Sequence, residues 1–377
     1  MARRRCRRER LTVVEADPID RNLTLQCDIA VIGGGLSGLL ALHELIEAGI
    51  DAQLFEALPR PGGRIASVRD QVSGAVIADL GPTWVWPPYQ PGVTRWMERL
   101  GLRTFPQYEA GEAILDLHPY SPPLRQFLPG QHGMMRVEGG PQAFVDALLS
   151  RLPPQSIHLD SPVKGLSHNG DHLVIFSRDR EIHARKVILA VPLRVAAQTI
   201  ALDGLVDDRV LTLMRNTPTW MAAQAKVAIL YETPFWREAG LGGRVASRVG
   251  PMVEVHDNSP ANGSVGALFG FVGWGAQDRR DLDLKVEIRQ QLIRCFGPQA
   301  GEFIGMEIRD WAFEETIATA QDQTGEPAHP AALPQFMREP LADGKLHLAI
   351  SETAADSPGL IDGALEAGER AAKWAMG

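Results

Sequence analysis

The most informative run of apolar positions lies between residues 28 and 56. Asp28-Ile29-Ala30-Val31-Ile32 is short and rich in β-branched residues, the pattern of a strand buried on both faces in a parallel sheet. Gly33-Gly34-Gly35-Leu36-Ser37-Gly38 follows directly. Leu36, Leu39, Leu40, Leu42, Leu45 and Ile46 then recur at helical spacing until Gly49 ends the run. A second strand, Ala52-Gln53-Leu54-Phe55, stops at Glu56. The stretch reads as strand, tight turn, helix, strand.

Further along, the periodicity is weaker. Residues 86–135 are rich in proline and glycine, with a short helix expected over Val93–Leu100. Gly139-Gly140-Pro141 opens a helix over Gln142–Leu152. Val163–Phe176 and Lys186–Val191 read as strands and Val286–Phe296 as a helix. His347–Ile350 reads as a strand, followed by a loop and a helix over about Gly363–Trp374.

Composition narrows the function. The 377 residues are 45% hydrophobic and 22% charged, ordinary for a globular chain of about two domains. A net charge of -8 gives no basis for binding nucleic acid or an anionic membrane. No apolar run reaches the roughly 18 residues that a membrane span needs. Cys6, Cys27 and Cys295 form no zinc spacing or disulfide framework, so no metal site is expected and the thiols read as reduced, in a cytoplasmic protein. The basic run Arg3–Arg10 lacks the apolar stretch of an export signal, so residues 1–25 are expected to be a disordered tail.

The glycine turn carries the first chemistry. Gly33 permits a tight turn, Gly35 lets backbone approach a pyrophosphate, and Gly38 lets the helix lie close to the strand. The helix opening at Leu36 and Ser37 offers unpaired N–H groups and partial positive charge to phosphates. Glu56, with Ala57 after it, arrives at a strand end about twenty residues on. There its carboxylate can accept hydrogen bonds from both ribose hydroxyls, and it repels the 2′-phosphate of NADP. These features predict a dinucleotide site but do not separate FAD from NAD.

The segments that follow carry a resemblance. Arg60-Pro61-Gly62-Gly63-Arg64 looks like the second flavin fingerprint of the flavin-containing amine oxidase family, and Asp79-Leu80-Gly81-Pro82-Thr83-Trp84 is similar to its flavin-passing loop. Val163, Ile188–Pro192, Lys226 with Tyr231 and Pro234-Phe235-Trp236, and Trp311 with Glu314-Glu315 resemble further family segments in order. Ser351-Glu352-Thr353-Ala354 with Gly359-Leu360-Ile361-Asp362-Gly363-Ala364 is close to its C-terminal signature.

The resemblance implies an α/β fold: a discontinuous Rossmann-like FAD-binding domain (26–85, 136–215 and 311–377) with an inserted α+β substrate domain (86–135 and 216–310). It implies non-covalent FAD against the glycine turn, Gly63, Arg64, Gly81–Trp84, Val163, Trp311, Glu352, Leu360, Ile361 and Ala364. Arg64 would be a fixed cation for phosphate or ribityl oxygens, and Glu352 would be delivered to the flavin by a strand. The helix near Ile361 would aim its dipole at the pyrimidine edge. Lys226 would hold a water near flavin N5, as the family's catalytic lysine linked to reoxidation by dioxygen. The implied reaction is oxidation of a small amine to an imine with O2 as acceptor, and a homodimer is compatible with it.

The chain departs from the family's pattern in two places. The tyrosine of the C-terminal signature is Leu360, and Ile317–Asp322, which would supply the second substrate-guiding aromatic, contains none. No cysteine stands where the family's covalent flavin link forms. A dehydrogenase acting on a C–C or C–N bond with another acceptor is therefore the alternative. Trp84, Trp86, Phe269, Phe271 and Trp274 are candidates for a replacement aromatic wall, although core packing accounts for each. His256-Asp257 reads as a surface pair, and His329-Pro330 as lining for the cavity mouth.

Overall fold

The computed structural model describes residues 24–178, 180–324 and 329–377. The expected basic tail and Cys6 fall outside the described residues, apart from Thr24 and Leu25. The first apolar run forms strand β1 (Leu25–Ile32), helix α1 (Leu36–Glu47) and strand β2 (Ala52–Phe55), with α1 starting at its first predicted leucine. Cys27, Ile29, Ala30, Val31 and Ile32 are all buried, as two-sided burial in a parallel sheet requires.

Strand β1 lies between β2 and Glu181–Leu189, parallel to both. Ile157–His158 extends the sheet beside β2, and Leu346–Leu348 adds a parallel strand beside Glu181–Leu189. The region read as strands over Val163–Phe176 is an antiparallel hairpin, Val163–Asn169 and His172–Ser177, turning at Gly170, whose φ is +60°. One face of this sheet is covered by α1 and the C-terminal helix Ile361–Met376, which share a core with Phe144, Val145 and Leu148 of helix Gln142–Leu149. A second core, with Leu173, Ile175 and Met214, covers the other face.

A second sheet carries seven strands, with Ala225–Tyr231 between Gly266–Val272 and Gly305–Asp310, antiparallel to both. Leu284–Phe296 packs on it through Ile288 and Leu292, with Val227, Ile229 and Tyr231 on the same side. The opposite face of Ala225–Tyr231 presents Ala228 and Leu230 to Ala78 and Leu80 of the first unit. Lys226, on that same face of the strand, lines a cavity between the two units.

The expected boundary at residue 86 differs from the packing. Helix α2 (Pro91–Leu100) buries Val93, Trp96, Met97 and Leu100 in the core of α1 and the C-terminal helix. Asp362 fastens it there: its Oδ1 accepts the Val93 N–H at 2.8 Å, capping one helix with the first turn of another. The prolines and glycines around α2 hid an amphipathic helix that belongs with the first core.

Candidate functional site

Two glycine motifs, 24 residues or more apart in sequence, meet at one end of a cavity of about 490 Å³. Gly62 N–H donates to Gly34 O at 2.8 Å, and Gly35 and Gly62 form a parallel bridge. A Cβ on Gly35 would project into open space, the space a diphosphate requires. A Cβ on Gly38 would stand 2.0 Å from Gly33 O, so that glycine is demanded by helix-on-turn contact. Gly33, Gly35, Leu36 and Ser37 line the cavity, and α1 has no side-chain cap, so its first N–H groups remain for a ligand. Gly38 itself does not line it.

Glu56 ends β2 with 7% exposure and faces the same space. Its Oε2 accepts Gly34 N–H at 2.6 Å and its Oε1 accepts Leu58 N–H at 2.9 Å. Each oxygen keeps a lone pair for a diol. Burial pushes its carboxyl upward, opposed by those backbone hydrogen bonds. Ala57 and Val163 line this end too.

Side chains build the other end. Alternation along Ala225–Tyr231 turns Lys226 to the face shared with Ala228 and Leu230, toward the first unit. Lys226 is 5% exposed, its Nζ donates to Gly81 O at 2.8 Å, and it lies 5.3 Å from the Phe271 ring centroid. Burial lowers its pKa to about 7; Asp79 opposes the shift and Arg64 adds to it. Asp79 is fully buried, receives Arg136 at 3.2 Å, and is pushed upward by desolvation against that cation. Trp311 Nε1 donates to Leu80 O at 3.0 Å, fixing the loop that carries Gly81, Pro82, Thr83 and Trp84 along the wall.

Arg64 is held in a buried ion pair. Its guanidinium lines the cavity but is committed to Glu352, with Nη1–Oε1 at 2.6 Å and Nη2–Oε2 at 2.9 Å. Glu352, expected to face the flavin, is 1% exposed and off the cavity wall. Burial raises the Glu352 carboxyl, but the Arg64 charge and hydrogen bonds from Arg64, the Trp220 N–H and Ser351 outweigh it and hold the pKa below the carboxylate norm. Glu352 sits in a short 3-10 turn over Ser351–Thr353, and the buried carboxylate is satisfied there by the Arg64 cation together with the Trp220 N–H and the Ser351 hydroxyl.

Leu360, Ile361 and Ala364 line the cavity where the C-terminal helix starts, and Leu360 caps that helix without a side-chain hydrogen bond. Of the candidate aromatics, Trp84, Trp86 and Phe271 reach the cavity. Phe269 is fully buried against Trp84, 5.9 Å between centroids, and Trp274 packs against the core of the second sheet. His256 and Asp257 are buried rather than on the surface. Asp257 takes Trp236, Arg237 and the Ser259 N–H, and His256 packs edge-on against Trp84. His329 stacks behind Trp220, 4.5 Å away, and is not on the wall. Trp220 and Met221 on the wall escaped sequence reading because they sit in a turn without pattern.

Comparison with known proteins bears on this architecture. A family model described as flavin containing amine oxidoreductase matches residues 120–375, and one described as an NAD(P)-binding Rossmann-like domain matches 31–100. The chain belongs to the flavin-containing amine oxidoreductases, a family of oxidoreductase enzymes whose cofactor is FAD. It is 24% identical to a putrescine oxidase of Kocuria rosea, over 94% of this chain and 96% of that one. A solved putrescine oxidase with putrescine bound shares the fold at a TM-score of 0.75, with 23% identity over 93% of this chain and 99% of the other. Cyclohexylamine oxidase from Brevibacterium oxydans does so at 0.77, with 17% identity over 93% and 99%. Among the described residues, no helix is long and apolar enough to cross a membrane.

Proposed function

We propose that this enzyme oxidises the C–N bond of a small amine to an imine, with FAD held non-covalently and dioxygen as the electron acceptor. The observation that carries the reading is Lys226, a buried lysine on the cavity wall beside Gly81 and the Phe271 ring, with its pKa brought to about 7. When bound, FAD would supply the two-electron acceptor for hydride from the amine's α-carbon, with dioxygen as the final oxidant and hydrogen peroxide as its product.

The chain's own residues orient, desolvate and carry charge. In this reading Gly33, Gly35, Leu36 and Ser37 bind the diphosphate, and Glu56 binds the adenosine ribose. Gly63, Gly81–Trp84, Trp311, Leu360, Ile361 and Ala364 surround the ring system. Lys226 Nζ, held by Gly81 O, keeps a hydrogen-bond donor fixed beside the reacting atoms and can be half protonated near neutral pH. The segments 26–85, 136–215 and 311–377 form the cofactor-binding unit, joined by α2, and the second sheet forms most of the substrate unit.

Non-covalent attachment is supported by the thiols. Cys27 and Cys295 lie away from the cavity, and burial pushes both up to about 12. The deciding experiment is purification followed by an absorbance spectrum and a peroxide-coupled amine panel. Yellow protein, flavin released by acid precipitation, and peroxide formed with a rate that rises toward the amine's own pKa are expected. Colourless protein that stays so after incubation with FAD refutes the reading. Reoxidation by dioxygen slower than turnover would move the assignment to a dehydrogenase.

A further inference from the structure

The chain between Val85 and α2 puts a glutamine on the cavity wall with one end of its amide unpaired. Gln90 is 5% exposed and lines the cavity together with Trp86. It stands at the N-cap of α2 but does not cap that helix with its side chain. Its Oε1 instead accepts the Trp86 N–H at 2.8 Å, which identifies the other end of the amide as the donor. Among the described residues, Nε2 has no hydrogen-bond partner. Buried donors are satisfied almost without exception, so an unpaired one points to a ligand atom that accepts. Its neighbours locate it further. Asp362, in the first turn of the C-terminal helix, accepts from the Val93 N–H at 2.8 Å, and a Cβ on Gly92 would stand 2.9 Å from the same Oδ1. Gln90, two residues before Gly92, therefore lies beside the start of that helix, where Leu360, Ile361 and Ala364 share the wall.

The chemistry of this corner separates its two prospective occupants. The helix start has no side-chain cap, so its first N–H groups are unpaired and carry partial positive charge. The Asp362 carboxylate, which could offset that charge, is turned to α2. Gln90 adds one more donor. An amine brings N–H donors of its own, and positive charge when protonated, so this corner disfavours it. The pyrimidine edge of the family's FAD brings carbonyl oxygens and gains negative charge on reduction. We propose that Gln90 is a cofactor-tuning residue: its Nε2 donates to a carbonyl oxygen of that edge and raises the reduction potential of the bound flavin. A hydrogen bond strengthens when its acceptor is charged, so this one stabilises the reduced form over the oxidised form. Gln90 then acts on every transfer of an electron pair to the flavin, and its role does not depend on the substrate being an amine.

The test measures the two-electron midpoint potential of the full-length, flavin-loaded protein by dye titration at mildly alkaline pH, for wild type, Gln90→Met and Gln90→Glu. Gln90→Met removes the donor. Gln90→Glu keeps an oxygen for the Trp86 N–H and sets a carboxylate against the edge. The potential should fall by about 30 mV in Gln90→Met, equivalent to about tenfold in relative affinity for reduced flavin, and further in Gln90→Glu. With FAD carrying carbon-13 at both pyrimidine carbonyls, one carbonyl stretch should move to higher frequency in Gln90→Met than in wild type. Unmoved potentials would overturn the proposal. A fall in Gln90→Met alone would overturn it too, by tracing the effect to the Trp86 hydrogen bond, and loss of flavin from both variants would make Gln90 a scaffold residue. A changed Kd for benzylamine, with potential and carbonyl bands unmoved, would assign the donor to substrate and equally overturn it. The dye titration oxidises no amine, so a wild type without amine oxidase activity refutes that activity while the Gln90 result stays readable.

Discussion

The two ends of the cavity are made of different material. At the nucleotide end, the contacts come from main chain: glycine turns, an uncapped helix start and one carboxylate braced by two N–H groups. At the other end, side chains from distant segments converge: Lys226, Trp84 and Phe271, with the Arg64–Glu352 pair nearby. The first kind of site tolerates almost no added atom, because backbone cannot rotate out of the way. The second tolerates changes of shape but is sensitive to charge, because desolvation sets the behaviour of each ionisable group.

That contrast can be broken at the residue joining the two ends. Arg64→Ala leaves the Glu352 carboxylate buried without its cation, and a loss of about 3–5 kcal/mol is expected by chemical denaturation. Losing less than about 1 kcal/mol would mean the pair is not structural. At the nucleotide end, Gly38→Ala puts a methyl 2.0 Å from Gly33 O, which only main-chain movement can relieve. It should cost about 3 kcal/mol and abolish flavin retention, read as the ratio of flavin to protein absorbance.

Lys226→Met sharpens the comparison from the other side, since it keeps volume and removes charge. The folded chain releases this proton near pH 7 and the unfolded chain near 10.5, so the unfolded form binds more protons across that window. Wild-type stability should therefore rise with pH from about 7 to 10.5, and the variant should lack that rise while keeping its flavin. Identical slopes in the two proteins would contradict the depressed pKa. The smallest effect belongs to Asp362→Ala, which uncaps α2 without touching the nucleotide turn. A loss of about 1 kcal/mol with normal flavin content is expected.

The same division explains what could be read from sequence. Gly33, Gly35, Gly38 and Glu56 owe their positions to local spacing, and α1 and β2 fall where the apolar pattern puts them. The apolar spacing locates helix α2 along the chain, but its proline-rich flanks mask which core it joins. The turn over Ser351–Thr353 that sets Glu352 against Arg64 has no local signature. The partnership of Arg64 with Glu352 spans 288 positions, and their hydrogen bonds to the Trp220 backbone span 156 and 132. No periodicity encodes such pairings. Buried charge needs a partner, and the tertiary fold alone decides which.

The C-terminal helix has a consequence for biosynthesis. Gly368 lies so close to α1 that a Cβ on it would stand 2.6 Å from Ser37 O, and Leu365 shares a core with Leu39 and Leu40. The glycine turn at Gly33–Gly38 and the helix that covers it are more than 300 residues apart along the chain. Until those residues have been made, the leucine face of α1 lacks this neighbour, so the two helices can close on each other only late relative to the turn they cover.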